Sequence, residues 1–161
     1  MSGSEDAAGH EEFLREAIRL SRRALERGDG PYGAVLVRGG RVVLARENTA
    51  STREDATRHA EMNLVVEAQE SFGADALAEC TLYASTEPCA MCAGAIYWAG
   101  IRRVVFACSS HRHEAVFGPA LAVHGRDVLT TATPPVATVG PLLEDEAAEV
   151  LEEAARRGTE S

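Results

Sequence analysis

Two short segments of the sequence carry side chains that bind metal ions. The first contains His59 and Glu61, and the second contains Cys89 and Cys92 in a C-x-x-C spacing. A catalytic zinc ion takes three protein ligands and keeps one position open for water. His59, Cys89 and Cys92 are such a set, and two cysteines on one helical turn can converge on the same ion. The sequence therefore predicts one Zn²⁺ ion per chain.

Glu61 lies two residues after the predicted histidine ligand, which places its carboxylate beside the water. Zinc lowers the pKa of a bound water toward about 7, and a neighbouring carboxylate can move the proton. We therefore predict that Glu61 is the catalytic acid and base. This chemistry suits hydrolytic attack on an electron-poor ring carbon that bears an amino group, and the H-x-E and P-C-x-x-C pattern is typical of zinc-dependent base deaminases.

The C-x-x-C pair also has other interpretations. It occurs in redox dithiols and in structural zinc sites. A structural site uses four protein ligands, but Cys80 and Cys108 lie in apolar strand patterns typical of buried core thiols. A redox pair does not require the H-x-E spacing. Catalytic zinc is therefore favoured, and a catalytically silent zinc-binding partner subunit is the alternative from another functional class.

The hydrophobic pattern predicts a layered α/β domain around one sheet. Residues 1–10 are small and acidic and are expected to form a flexible tail, while residues 11–157 are expected to form a single domain. Helices are predicted over residues 11–27, 59–70, 88–99 and 142–157, and strands over residues 34–37, 42–45, 80–85, 103–107 and 136–139.

The histidines outside the motif give weaker signals. His111, His113 and Glu114 follow the fourth predicted strand, close to the sheet edge where ligands bind in many α/β proteins. A contact with substrate is one interpretation there, and a solvated polar loop is the favoured one. His10 and His124 are predicted to be surface residues.

Composition limits the partners of the chain. Its 161 residues are 45% hydrophobic and 25% charged, which excludes wholesale disorder. No apolar run approaches the roughly 18 residues of a membrane span, and the N-terminus lacks the features of a secretory signal. We therefore expect a cytoplasmic protein with no membrane partner. The formal net charge is −9, which disfavours sequence-independent binding of nucleic acid.

The motifs resemble the cytidine and deoxycytidylate deaminase superfamily, and in particular its branch of guanine deaminases, small cytosine deaminases and tRNA adenosine deaminases. The similar stretches are residues 31–37, Asn48, residues 58–61 and residues 86–99. The resemblance implies a three-layer α/β/α cytidine-deaminase-like fold with a central mixed five-stranded sheet. It also implies an oligomer, expected here as a homodimer, and the same roles for Glu61 and the three zinc ligands.

The same resemblance implies residues that contact the substrate. Asn48 matches an asparagine that hydrogen-bonds the substrate ring, and Ala60 matches a position whose backbone N–H contacts the substrate. Tyr32 matches a position where an aromatic ring packs near the base. Trp98 is a further candidate, although an aromatic residue at the end of a helix also suits a contact with a partner subunit.

The resemblance leaves the substrate open. Guanine deaminases have an aromatic C-terminal tail, whereas this sequence has no aromatic residue after Phe117. The C-terminal helix of tRNA adenosine deaminases is usually basic, whereas residues 142–157 are rich in acidic residues. We therefore expect a zinc-dependent deaminase of a small free base, namely guanine, cytosine or a related aminopurine, aminopyrimidine or triazine. A tRNA-specific adenosine deaminase is the alternative.

Overall fold

The computed structural model describes residues 3–159, and only the backbone of residues 3–7. The helices are α1 (Gly3–Arg27), α2 (Ala50–Arg53), α3 (Ala60–Ser71), α4 (Ala74–Ala78), α5 (Ala90–Ala99), α6 (Ser110–Phe117), α7 (Gly125–Thr130) and α8 (Glu144–Arg157). The strands are β1 (Gly33–Arg38), β2 (Arg41–Glu47), β3 (Thr81–Thr86), β4 (Arg103–Cys108) and β5 (Ala137–Val139). No helix within residues 3–159 combines the length and hydropathy needed to cross a membrane.

The strands form one mixed sheet between two layers of helices. Their order is β2-β1-β3-β4-β5, with β1 antiparallel to β2 and β3, and with β3, β4 and β5 parallel. Side chains alternate between the two faces of a strand, so Leu36 packs with α3 and α5 while Val35 packs with α1 and α8. The predicted three-layer fold with a five-stranded mixed sheet is therefore confirmed.

The parallel part of the sheet brings several chain segments to one edge. Strand β3 leads into α5 and strand β4 leads into α6, so both helices begin at the carboxyl ends of neighbouring parallel strands. This edge is where open α/β sheets commonly bind ligands. The predicted metal-binding residues therefore share one end of the sheet with the segment that follows β4.

Helix α1 extends further toward the N-terminus than the sequence predicts. It begins at Gly3, so residues 3–10, expected as a flexible tail, are helical, while residues 1–2 lie outside the described residues. His10 was predicted to be a surface residue, but it is half-buried in the structure. Its Nδ1 lies 2.8 Å from the Tyr83 hydroxyl oxygen, and its ring contacts the ring of Tyr83. That contact attaches this part of α1 to β3.

Helix α6 replaces the polar loop expected after β4. Its N-terminal amides are satisfied by side chains: the Ser110 N–H donates to Glu87 at 3.0 Å, and the Ser109 N–H donates to Glu144 at 2.7 Å. The N-cap residue Ser109 accepts from the Arg112 N–H at 3.2 Å. Two of these partners are distant in sequence. Tertiary contacts therefore stabilise a helix whose own apolar pattern is weak.

Candidate active site

The three predicted metal ligands meet at the N-termini of two helices. His59 is the N-cap residue of α3, Cys89 is the N-cap residue of α5, and Cys92 lies in the first turn of α5. The His59 Nδ1 lies 3.6 Å from the Sγ of each cysteine. Nitrogen and sulfur ligands of a tetrahedral zinc ion, at about 2.1 and about 2.3 Å from it, stand about 3.6 Å apart. The donor set therefore fits zinc.

The two cysteines differ in their affinity for a proton. Hydrogen bonds from Cys92 and His59 lower the pKa of the Cys89 thiol to about 4. The hydrogen bond to Cys89, together with burial, raises the pKa of Cys92. The Cys89 thiolate is thus stabilised by hydrogen bonds from the Cys92 thiol and the His59 imidazole. Because zinc binds thiolates, its binding releases the remaining thiol proton.

Glu61 lies in the first turn of α3 and is buried, with 5% of its surface exposed. Burial, reinforced by the negative charge of Cys89, raises its pKa to about 7. A carboxyl group that titrates near neutral pH can both accept and donate a proton under physiological conditions. Its location beside the metal ligands and its raised pKa suit the predicted acid–base role.

A cavity of about 340 Å³ opens beside these residues. One side is formed by the end of β3 and the start of α5, including Thr86 and Met91. Another part of the lining comes from residues 109–125, which we call the outer wall. Its members that line the cavity are Ser110, His113, Glu114, Ala120, Leu121, Val123, His124 and Gly125. The cavity is therefore lined both by the first turns of α3 and α5 and by the segment after β4.

Tyr32, which the resemblance assigns to the substrate, lines this cavity. Its hydroxyl lies 2.7 Å from the His113 Nε2, and the two rings are in contact. Burial lowers the pKa of His113, which favours the neutral imidazole. The pair thus places an aromatic ring and a neutral imidazole in the cavity wall.

Asn48 and Ala60 lie behind the cavity surface. Both are buried, and neither is among the residues that line the cavity. The Asn48 Oδ1 accepts a hydrogen bond from the Ala50 N–H at 2.8 Å, and Ala60 follows His59 in the first turn of α3. A contact between either residue and a substrate stays a prediction.

Trp98 is not among the residues that line this cavity, and a contact between Trp98 and a substrate stays a prediction. It sits near the C-terminal end of α5 and is 83% exposed. Cys89 is at the other end of that helix, about 13 Å away at the usual rise of an α-helix. The predicted core positions of Cys80 and Cys108, in contrast, are confirmed, since both are buried.

Several cavity residues were missed by the sequence predictions. His113 and Glu114 belong to α6, where a solvated loop was favoured, and His124, expected at the surface, lines the cavity as the N-cap residue of α7. The buried Glu87 also lines it, next to the predicted Pro88-Cys89 motif. The sequence does contain one signal for α6: Ser109 directly follows a predicted strand, and serine is a favoured N-cap residue.

The outer wall approaches the metal-binding helix closely at one point. A Cβ on Gly125 would lie 1.8 Å from the carbonyl oxygen of Pro88, the residue before Cys89. Only glycine leaves room for this approach. Gly125 therefore fixes the distance between the outer wall and the metal ligands.

The C-terminal helix α8 supports the outer wall without lining the cavity. Besides the bond from Ser109 to Glu144, the Arg112 guanidinium of α6 pairs with Asp145 at 3.3 Å and Glu152 at 3.4 Å. No residue beyond Gly125 lines the cavity in the described part of the chain. The walls of this cavity therefore come from earlier segments.

Comparison with known proteins shows relatives with three different substrates. The chain is 37% identical to a probable cytosine deaminase of Schizosaccharomyces pombe, over 91% of this chain and 93% of that protein. It is 36% identical to a tRNA-specific adenosine deaminase of Aquifex aeolicus, over 67% of this chain and 72% of that protein. It is similar in structure to a guanine deaminase from Nitrosomonas europaea, with a TM-score of 0.77, 25% identity, and coverage of 89% of this chain and 83% of that one.

A family profile identifies the class of enzyme. The profile of the cytidine and deoxycytidylate deaminase zinc-binding region matches residues 7–108, which include His59, Glu61, Cys89 and Cys92. The donor geometry of the metal site and the position of Glu61 agree with this match. The chain therefore belongs to the cytidine and deoxycytidylate deaminase family, as a zinc-binding hydrolase that acts on the C–N bonds of cyclic amidines.

Proposed function

We propose that the chain removes the amino group of a free heterocyclic base, such as guanine, cytosine or a related aminopurine, aminopyrimidine or triazine. The observation that carries this proposal is the cavity beside Glu61, whose described lining contains no arginine. A nucleotide phosphate is normally bound by cationic or clustered N–H donors, whereas a neutral base needs none. The cavity chemistry thus favours a small uncharged substrate.

The residues divide the reaction among them. Zinc held by His59, Cys89 and Cys92 supplies an activated water at neutral pH by lowering the pKa of that water. The Glu61 carboxylate would take one proton from the water and deliver it to the ring nitrogen. It would then take the second proton from the hydroxyl group formed at the ring carbon and deliver it to the amino group, which leaves as ammonia. Burial raises the pKa of Glu61 above its ordinary value, which favours its use both as a proton acceptor and as a proton donor.

Other groups of the chain orient the base. The Asn48 oxygen is already engaged by the Ala50 N–H, which leaves the carboxamide N–H as the group offered to a ring acceptor. The Ala60 N–H belongs to the first turn of α3 and has no acceptor within its own helix. The ring of Tyr32 forms a flat apolar wall for the base. These three assignments are part of the proposal.

A tRNA substrate is the second candidate, and one feature favours it. A second, more open cavity is lined by arginines of α1 and of residues 46–58. Most of those arginines are engaged, since Glu47 pairs with Arg23 and Arg27, Glu67 pairs with Arg46, and Asp55 pairs with Arg58. RNA phosphates would have to displace these carboxylates, and the net charge of −9 opposes that binding. A small base is therefore favoured.

Ammonia release from the zinc-loaded protein tests the proposal. The substrates are guanine, cytosine, adenine and an aminotriazine, the corresponding nucleosides, and a tRNA anticodon stem-loop, with Glu61→Gln as the matched inactive control. Turnover of a free base above the rate of the control supports the proposal. Conversion of the stem-loop alone would establish the tRNA activity instead. If the zinc-loaded protein releases ammonia from none of these substrates, the result would favour a catalytically silent partner subunit.

A further inference from the structure

A second group of metal-ligating side chains lies on the outer wall. It consists of His111 and Glu114 of α6 and His124, which precedes α7. One nitrogen or oxygen atom from each side chain lies within 4.8 Å of the other two. None of the three belongs to the catalytic metal site.

The three side chains already contact one another. The His124 Nε2 lies 2.8 Å from the Glu114 Oε1, and the rings of His111 and His124 meet edge to face with their centroids 4.8 Å apart. His111 and Glu114 are three residues apart on one helix, so their side chains share a face. No arginine within residues 3–159 forms an ion pair with Glu114. The carboxylate is therefore available to a cation.

The cluster is accessible from solvent. His111 is exposed, and the side chains of Glu114 and His124 are 29% and 19% exposed. Ligands of a tetrahedral zinc ion at about 2.1 Å stand about 3.4 Å apart, so small side-chain rotations bring these donors to the required spacing. The donor set of two imidazoles and one carboxylate suits Zn²⁺, Co²⁺ or Ni²⁺ and, unlike the catalytic set, contains no thiolate.

We propose that His111, Glu114 and His124 bind a second divalent transition-metal ion at the rim of the catalytic cavity. Glu114 and His124 line that cavity, whereas His111 does not. An ion at this position links α6 to the start of α7 and narrows the entrance. Excess Zn²⁺ is therefore expected to inhibit the enzyme through this site, whichever base is the substrate.

Calorimetric titration with Co²⁺ of protein that holds one zinc ion tests the second site. The test variant is His111→Gln, because His111 is exposed and outside the catalytic cavity, and the matched control is His10→Gln on α1. We expect a second equivalent to bind to the wild type and to the control. We expect at least a tenfold weaker association in His111→Gln, because one of three ligands is lost.

The absorption spectrum identifies the site that Co²⁺ occupies. Co²⁺ in the catalytic site acquires intense thiolate-to-metal charge-transfer bands, whereas Co²⁺ bound by imidazole and carboxylate lacks them. Binding without these bands, together with inhibition by excess Zn²⁺ that His111→Gln relieves, supports the proposal. The proposal is overturned if no second equivalent binds, if the thiolate bands appear in step with binding, or if His111→Gln binds as tightly as the wild type.

Discussion

His59 and Cys89 occupy equivalent positions on two different helices, and their Nδ1 and Sγ atoms lie 3.6 Å apart. Each is an N-cap residue, yet neither side chain caps its own helix with a hydrogen bond. Both side chains are thus free to bind a metal ion. The positive potential of the helix N-termini stabilises the thiolate that zinc requires.

Glu61→Gln should abolish turnover and leave the metal in place. The amide keeps the size of the side chain but cannot move a proton, so we expect kcat to fall by about 10²- to 10⁴-fold. Zinc content measured by atomic absorption should stay at the wild-type value, because Glu61 is not a ligand in the proposed set. Wild-type turnover by this variant would disprove the acid–base role.

Cys92→Ser should lose both zinc and stability. Serine cannot supply a thiolate, and metal binding is coupled to folding. Zinc stoichiometry and the urea midpoint are the measurements. The matched control is Cys80→Ser, because Cys80 is equally buried but is not one of the predicted metal ligands. The Sγ of Cys80 instead donates to the Ala76 carbonyl oxygen at 3.2 Å. Full zinc occupancy in Cys92→Ser would contradict the assignment.

Asn48→Asp separates a turn role from a substrate role. The carboxylate can still accept from the Ala50 N–H, but the donor that we assign to the base is gone. We expect kcat/KM to fall about 10- to 100-fold, as for the loss of a buried hydrogen bond, while zinc content is unchanged. An unchanged kcat/KM would restrict Asn48 to its role in the turn.

Gly125→Ala should disrupt the contact between the outer wall and the metal-binding helix. The added Cβ would clash with the Pro88 carbonyl oxygen, and relief of such overpacking costs about 1–3 kcal/mol of unfolding free energy. The matched control is Gly94→Ala within α5, where a Cβ meets no atom within 4 Å. That control should gain about 1 kcal/mol from helix propensity. Equal urea midpoints for the two variants would refute the packing argument.

Asp29→Asn should weaken the protein in a pH-dependent way. Asp29 is fully buried, and its carboxylate accepts hydrogen bonds from the Thr52 N–H at 2.8 Å, the Thr52 hydroxyl at 2.6 Å and the Arg27 Nε at 2.7 Å. Burial alone would raise the pKa of Asp29, but these hydrogen bonds outweigh it and hold the pKa below its ordinary value of 3.8. We expect a loss of about 2 kcal/mol at neutral pH.

The sign of that pH dependence follows from the lowered pKa. The carboxylate contributes its full stability above the unfolded-state pKa, and the contribution disappears as the pH falls through the lower folded-state value. Urea midpoints of wild type and Asp29→Asn should therefore converge as the pH drops below 3.8. A constant difference down to the acid transition would contradict this interpretation.

The metal site could be predicted from the sequence because its chemistry depends on local spacing. His59 and Glu61 are close together in the chain, as are Cys89 and Cys92, and each pair begins a helix whose start is visible in the sequence. The five strands could be predicted for a similar reason, since their apolar runs are short and bounded by turn residues.

The outer wall could not be predicted because distant residues determine it. The Ser109 and Ser110 amides depend on Glu144 and Glu87, and Gly125 depends on the Pro88 carbonyl, none of which a local pattern reveals. Trp98 shows a second limit. Helix α5 is apolar on all sides, so its sequence does not indicate which residues face the sheet and which face solvent.

The separation between the catalytic helices and the outer wall has a consequence for protein engineering. The side chains that we assign to metal binding and proton transfer come from residues 59–61 and 89–92, whereas residues 109–125 line another part of the cavity and are braced by α8. Residues 110–124 can therefore be exchanged as one cassette to retarget the enzyme toward other aminated rings. The Ser109–Glu144 bond and the glycine at position 125 are the fixed points that such a graft must keep.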